Sequence, residues 1–225
     1  MESMKTPEEL LKYTGEIYNK IHKDDLPPQN EREKQAKVVL SRLNKLIIDL
    51  ILQDVSLKTL DITLMYQWIL ITTWNHGIEE KTFEHWASHL ELVYLPLIKM
   101  LKELESSIKD DGPSKDMKQL GAGLDEVKNI AQKASKNEYS RVEIIKMVNM
   151  ANIKLFQLTQ SFINDKIHPG LIESGYFYYW LRMSIMYANG SEEFFQKLER
   201  NWDIVMKRVS EFIVNLSAQD NYSPK

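Results

Sequence analysis

Two histidines one helical turn apart are the first residues in this chain whose spacing suits chemistry. His85 and His89 stand at i and i+4 in Glu84-His85-Trp86-Ala87-Ser88-His89-Leu90-Glu91. On a helix both imidazoles share a face and make a bidentate metal pair. A metal centre needs a third ligand, and Glu84, Glu91, His76 or a residue from another helix would have to supply it. No Glu follows His85, which departs from the zinc-protease helix, and no Glu-x-x-His occurs, which disfavours a di-iron bundle. Without the third ligand the pair is two boundary histidines on an amphipathic helix, and no cofactor is implied.

The second concentration of chemistry is Tyr176-Phe177-Tyr178-Tyr179-Trp180, followed by Arg182. Five consecutive aromatics point in every direction from a helix, so the segment must be enclosed on most sides. A pocket here would present Tyr178, Trp180 and Arg182 to a ligand. Arg182 is the only basic residue between Lys166 and Lys197. A structural ion pair accounts for it more simply, with Glu173 or another buried carboxylate as its partner.

A third set is basic. Residues 115–154 carry eight Lys and Arg against five Asp and Glu. Lys128, Lys133 and Arg141 are the positions that would face phosphates if this were a nucleic-acid stripe. The bland alternative is a solvated helix face. The whole chain carries 29 basic and 32 acidic residues, net −3, with 23 Lys and only 6 Arg, so no global basic footprint supports that stripe. No G-x-S-x-G elbow occurs, and cysteine is absent. Thiol catalysis, Cys-ligated zinc and disulfide stapling are thereby excluded.

These residues must be positioned by helices. The chain has 225 residues, 43% of them apolar, with only 8 Gly and 7 Pro. That composition suits a globular α protein and argues against a turn-rich β fold. Start and stop signals predict helices over 7–23, 30–53, 62–74, 79–108, 115–135, 138–164, 171–188 and 192–216. Asn30 and Asp61 read as N-caps of the second and third. The third is apolar nearly all round, which suits a central position. Pro96 should kink the fourth near Tyr94. The fold expected is an all-α bundle of about eight helices in one domain, 1–225, with possible sub-units 1–110 and 124–217 joined by a flexible 110–123 stretch.

Two segments resemble each other. Tyr66-x-Trp68 precedes Asn75-His76-Gly77, and Tyr178-x-Trp180 precedes Asn189-Gly190. Trp-to-Gly spacing differs by one, so matching the glycines demands one inserted residue. A helix with apolar residues spaced 3-4-3-4-3-4 follows each. This suggests two similar three-helix units about a pseudo-two-fold axis. In the second unit the seam is Phe195, Leu198, Trp202, Val205, Val209, Phe212 and Leu216, a candidate interface with a second copy or a partner helix.

The expected function is a non-enzymatic helical interaction or scaffold protein with a protein partner, a homodimer being favoured. A metal- or ligand-binding bundle and an accessory subunit of a nucleic-acid complex are the alternatives. The N-terminus lacks an apolar signal core, and the longest charge-free stretch, 62–78, is too short and too polar to span a bilayer. A cytoplasmic protein with no membrane partner is the expectation.

Overall fold

The computed structural model describes residues 27–109 and 139–220, together with Glu16 alone before them. Among the described residues there are eight helices and no strand: α1 Gln29–Leu52, α2 Leu57–Asn75, α3 Glu80–Ser88, α4 Glu91–Ser107, α5 Arg141–Asn164, α6 Pro169–Tyr187, α7 Glu192–Arg200 and α8 Trp202–Asp220. The helices expected over 7–23 (Glu16 apart) and 115–135, and the 110–123 stretch, lie outside the described residues.

α2 and α6 are central, and no other pair of helices packs so extensively. Both are apolar on nearly every side, so each must be enclosed. Trp68 of α2 stacks on Trp180 of α6, with ring centroids 6.0 Å apart and planes 15° apart. The five consecutive aromatics of α6 are all buried. Their hydroxyls reach outward to neighbouring backbone: Tyr176 O–H donates to the Leu155 carbonyl at 2.8 Å, and Tyr179 O–H to the Leu40 carbonyl at 3.1 Å. Each bond satisfies a polar group that would otherwise be stranded in the core. α1 packs on α6 and α5 packs on α2, while α4 and α8 pack on each other.

Three of the second four helices follow their counterparts in the first at one constant spacing. α1 and α5 each have 24 residues, and Gln29 and Arg141 start them 112 positions apart. α2 and α6 have 19 each, starting at Leu57 and Pro169, again 112 apart. α3 and α7 have nine each, starting at Glu80 and Glu192, at the same interval. The left-handed residues obey it too: Asp54 (φ 61°) and Lys166 (φ 56°), Gly77 (φ 65°) and Asn189 (φ 51°). So does the core face, with Val39, Leu43, Ile47, Leu50 and Ile51 buried in α1 and Ala151, Leu155, Thr159, Phe162 and Ile163 in α5. No inserted residue is needed. The residue matching Gly77 is Asn189, which also tolerates the left-handed conformation, not Gly190.

Several boundaries differ from expectation. Asn30 is not a cap: α1 begins on the Pro28 carbonyl, and Asn30 lies within the first turn. Asp61 is not a cap either. Ser56 caps α2, its Oγ accepting from the Thr59 N–H at 3.2 Å, which carries Asp61 one turn inside the helix. Ser140 caps α5 in a full capping box with Glu143.

The helices expected over 79–108 and 192–216 are each broken. The break falls at His89–Leu90, ahead of Pro96, which sits inside α4. Proline is not its cause. The second unit breaks at Asn201, the position equivalent to His89, and carries Arg208 where the first has Pro96.

Gly175 marks the closest approach of α6 to α1. A Cβ there would meet Val39 Cγ1 at 2.8 Å and Leu43 Cδ1 at 3.3 Å. A Gly175→Val protein should lose about 2 kcal/mol, because both neighbours are fully buried and have nowhere to retreat. Urea unfolding checks this. An unchanged midpoint would mean that the two helices can separate freely.

Candidate functional site

The two carboxyls at the fifth positions of the central helices, Asp61 in α2 and Glu173 in α6, are buried. Their positions are equivalent in the 112-residue spacing, yet their surroundings differ. Glu173 is fully served by α2. The Thr72 hydroxyl donates to Oε1 at 3.1 Å, the Asn75 amide donates to Oε2, and His76 Nε2 lies 3.4 Å from Oε1.

Asp61 faces Ser184, the residue equivalent to Thr72, and the Ser184 hydroxyl draws its carboxyl downward. In turn, the Tyr94 hydroxyl lies 3.1 Å from Ser184 Oγ. Asp61 Oδ1 is buried with no hydrogen-bond partner. Burial pushes this carboxyl up to about 7, against the smaller, opposite pull of Ser184. It therefore changes charge near neutral pH.

A cleft of about 290 Å³ opens beside Asp61, walled by Ile62, Met65, Leu90, Tyr94, Leu95 and Tyr187. Lys58 of α2 and Glu91 of α4 are the charged residues at its edge. A second, larger groove of about 460 Å³ lies between α1, α6 and the α7–α8 turn, with Glu33, Lys37, Tyr178, Glu199, Arg200 and Trp202 along it. There Tyr178 O–H donates to Glu199 Oε1 at 2.7 Å, and Trp202 Nε1–H donates to Ser174 Oγ at 2.7 Å. Burial raises the Glu199 carboxyl above the usual range and, together with the Glu199 charge, raises the Tyr178 phenol.

With this geometry in view, the comparisons add no relative. No family model, no curated protein and no solved structure matches the chain. Function must be argued from the residues themselves.

The sequence candidates are dispersed. Tyr178 is a wall of the larger groove, whereas Trp180 is fully buried against Trp68. Arg182 pairs with Glu192, not with Glu173: Nη1 donates to both carboxylate oxygens at 2.7 and 2.8 Å. Its guanidinium also lies 4.5 Å from the Phe195 ring centroid, a stacked and desolvated cation. Glu192 is the residue that opens α7, so this pair pins the α6–α7 corner.

His85 and His89 are neighbours, with ring centroids 5.4 Å apart. The helix ends between them, His89 being the C-cap of α3 with Nδ1 3.5 Å from Glu91 Oε1. Among the described residues no group of three or more His, Asp or Glu side chains is arranged to hold a metal ion. Lys128 and Lys133 lie outside the described residues, and Arg141 is an exposed residue opening α5. Of the seam, Phe195, Leu198, Val205 and Val209 are fully buried within the chain, and Trp202, Phe212 and Leu216 pack partly buried against the same core. The break at Asn201 turns the seam inward on both sides. No helix among the described residues is long and apolar enough to cross a membrane.

Sequence reasoning missed Asp61 and Glu173 as a pair. The signal was present: Asp61 is the only acid in 59–78 and Glu173 the only acid in 166–191. Their 112-residue interval connects them once the glycines are no longer forced to match.

Proposed function

We propose that the chain is a non-enzymatic interaction protein made of two copies of one four-helix unit, and that the outer face of α5 is where a second copy docks. The constant 112-residue spacing of three of the four helix pairs, of the left-handed residues and of core positions supports the two-copy reading. The observation that carries the docking surface is a difference between the copies. α5 exposes Val142 (62%), Ile145 (51%) and Ile153 (47%) at helical spacing on one face. The equivalent residues of α1 are the polar Asn30, Glu33 and Ser41, and the apolar residues α1 does expose, Val38 and Leu52, stand at other positions. Three apolar replacements on one face of an otherwise equivalent helix are the pattern of an interface, and a self-complementary patch closes into a symmetric dimer.

Native mass spectrometry of the untagged protein tests this. A dimer of the 26.4-kDa chain is expected, and Val142→Glu with Ile145→Glu should return it to monomer without lowering its melting temperature. A monomeric wild-type protein, or a dimer untouched by the double substitution, would overturn the proposal.

A further inference from the structure

The two buried acids can be compared as one site in two states of completion. At Glu173 the protein supplies a donor to each oxygen, Thr72 to Oε1 and Asn75 to Oε2, with His76 Nε2 3.4 Å from Oε1. Their equivalents around Asp61 are Ser184, Tyr187 and Ala188. The hydroxyl is retained in Ser184, but the amide donor and the neighbouring imidazole are gone, and Asp61 Oδ1 is left buried without a partner. An unserved buried oxygen is uncommon and costly.

Volume is missing in the same place. In the second unit Trp202 opens α8, its ring 5.8 Å from that of Phe177 and its N–H bonded to Ser174. The equivalent of Trp202 is Leu90, and the equivalents of Phe177 and Ser174 are Met65 and Ile62. These three smaller or purely apolar residues are walls of the cleft beside Asp61. The surroundings of Asp61 therefore lack both the bulk that fills this position, on α2 and α4, and the N–H donors that serve the acid, at the end of α6.

We propose that the cleft beside Asp61 binds a small amphipathic ammonium, a protonated primary or secondary amine on an apolar body. The N–H groups of the ligand take the place that the Asn75 amide holds at Glu173, and donate to the Asp61 carboxylate. Its apolar body lies against Met65, Leu90 and Leu95, with the rings of Tyr94 and Tyr187 beside the cation. A cation suits the site better than a neutral donor, since it also offsets the carboxylate charge in a dry setting. Glu91 at the edge adds attraction, and Lys58, exposed one turn back on α2, opposes it. A metal ion is the poorer fit, since among the described residues no third carboxylate or imidazole joins Asp61 and Glu91 to complete its ligand set. The site is independent of the α5 surface, so a monomeric protein would leave it untouched.

The probe is 2-phenylethylammonium, with 2-phenylethanol as its neutral counterpart, each titrated into the 15N-labelled full chain at pH 8 and followed by amide shifts. Saturable shifts around α2 and the start of α4 are expected from the amine, with the alcohol at least about tenfold weaker. Asp61→Asn should remove the preference. Leu90→Trp, which restores the bulk of Trp202, should block both compounds while the fold persists. Lys58→Met should bind the amine at least as well as the wild type. Equal binding of amine and alcohol, amine preference surviving Asp61→Asn, or amine binding that appears only in Lys58→Met would each overturn the proposal. So would the absence of saturable shifts at roughly 10 mM amine, an affinity well below that of a built site.

Discussion

At pH 8 the Asp61→Asn protein should resist urea better than the wild type, by as much as about 4 kcal/mol of unfolding free energy, and at pH 4 the two should be nearly equal. Burial raises this carboxyl from 3.8 to about 7, an interval worth about 4 kcal/mol when the group is ionised on both sides of the unfolding reaction. The folded chain holds the proton more tightly than the unfolded chain does. The contribution of Asp61 to stability is therefore complete below the unfolded value and is lost as pH rises through about 7. The asparagine amide carries no charge, so in the variant that loss disappears. The groups around the carboxyl are Lys58 on its own helix, Glu91 and Tyr94 on α4, and Ser184 and Tyr187 on α6. None supplies a buried cation to oppose the effect. Urea midpoints of both proteins at the two pH values decide it. A difference that does not change with pH would place Asp61 in water.

The acid at the equivalent position should respond in the opposite direction. Glu173→Leu removes the acceptor of the Thr72 hydroxyl and the Asn75 amide and the partner of His76. Thr72 is fully buried, so at least one donor is left with no water to turn to. Removing one partner from a buried polar cluster costs about 3–5 kcal/mol, a large part of the total stability of a chain this size. Unfolding at pH 7 measures it. A loss under about 1 kcal/mol would show that water reaches the donors and that α2 and α6 are not sealed against each other. The two substitutions together separate a served acid from an unserved one, although a reading of burial alone would treat both carboxyls alike.

Much of the frame was legible in the sequence because helices depend on local signals. The aromatic runs around Trp68 and Trp180 marked the two central helices, and the stop at Asn75-His76-Gly77 fell where α2 ends. What failed depended on long-range packing. Asp61 passes for a cap because Asp favours that position, and only the neighbours brought by α6 show it to be enclosed. Asn189 and Gly190 both accept left-handed geometry, and glycine attracts the match even though Asn189 takes the turn. Pro96 draws attention as the break point of its helix, but a break at the same place in a unit without that proline shows that packing sets it. The 3-4 spacing of Phe195 to Leu216 told that the seam is covered without telling by what, and the cover is the chain's own core. Arg182 needed a carboxylate, and sequence distance gave no reason to choose Glu192 over Glu173.

The central claim is that one of two equivalent buried acids is left unserved, and site-resolved NMR titration of the Asp61 carboxyl carbon tests it most directly. The account predicts a midpoint near 7 in the free protein, falling when 2-phenylethylammonium is added, because the bound cation favours the ionised carboxylate. A midpoint at the ordinary aspartate value of about 4, unmoved by the amine, would contradict it.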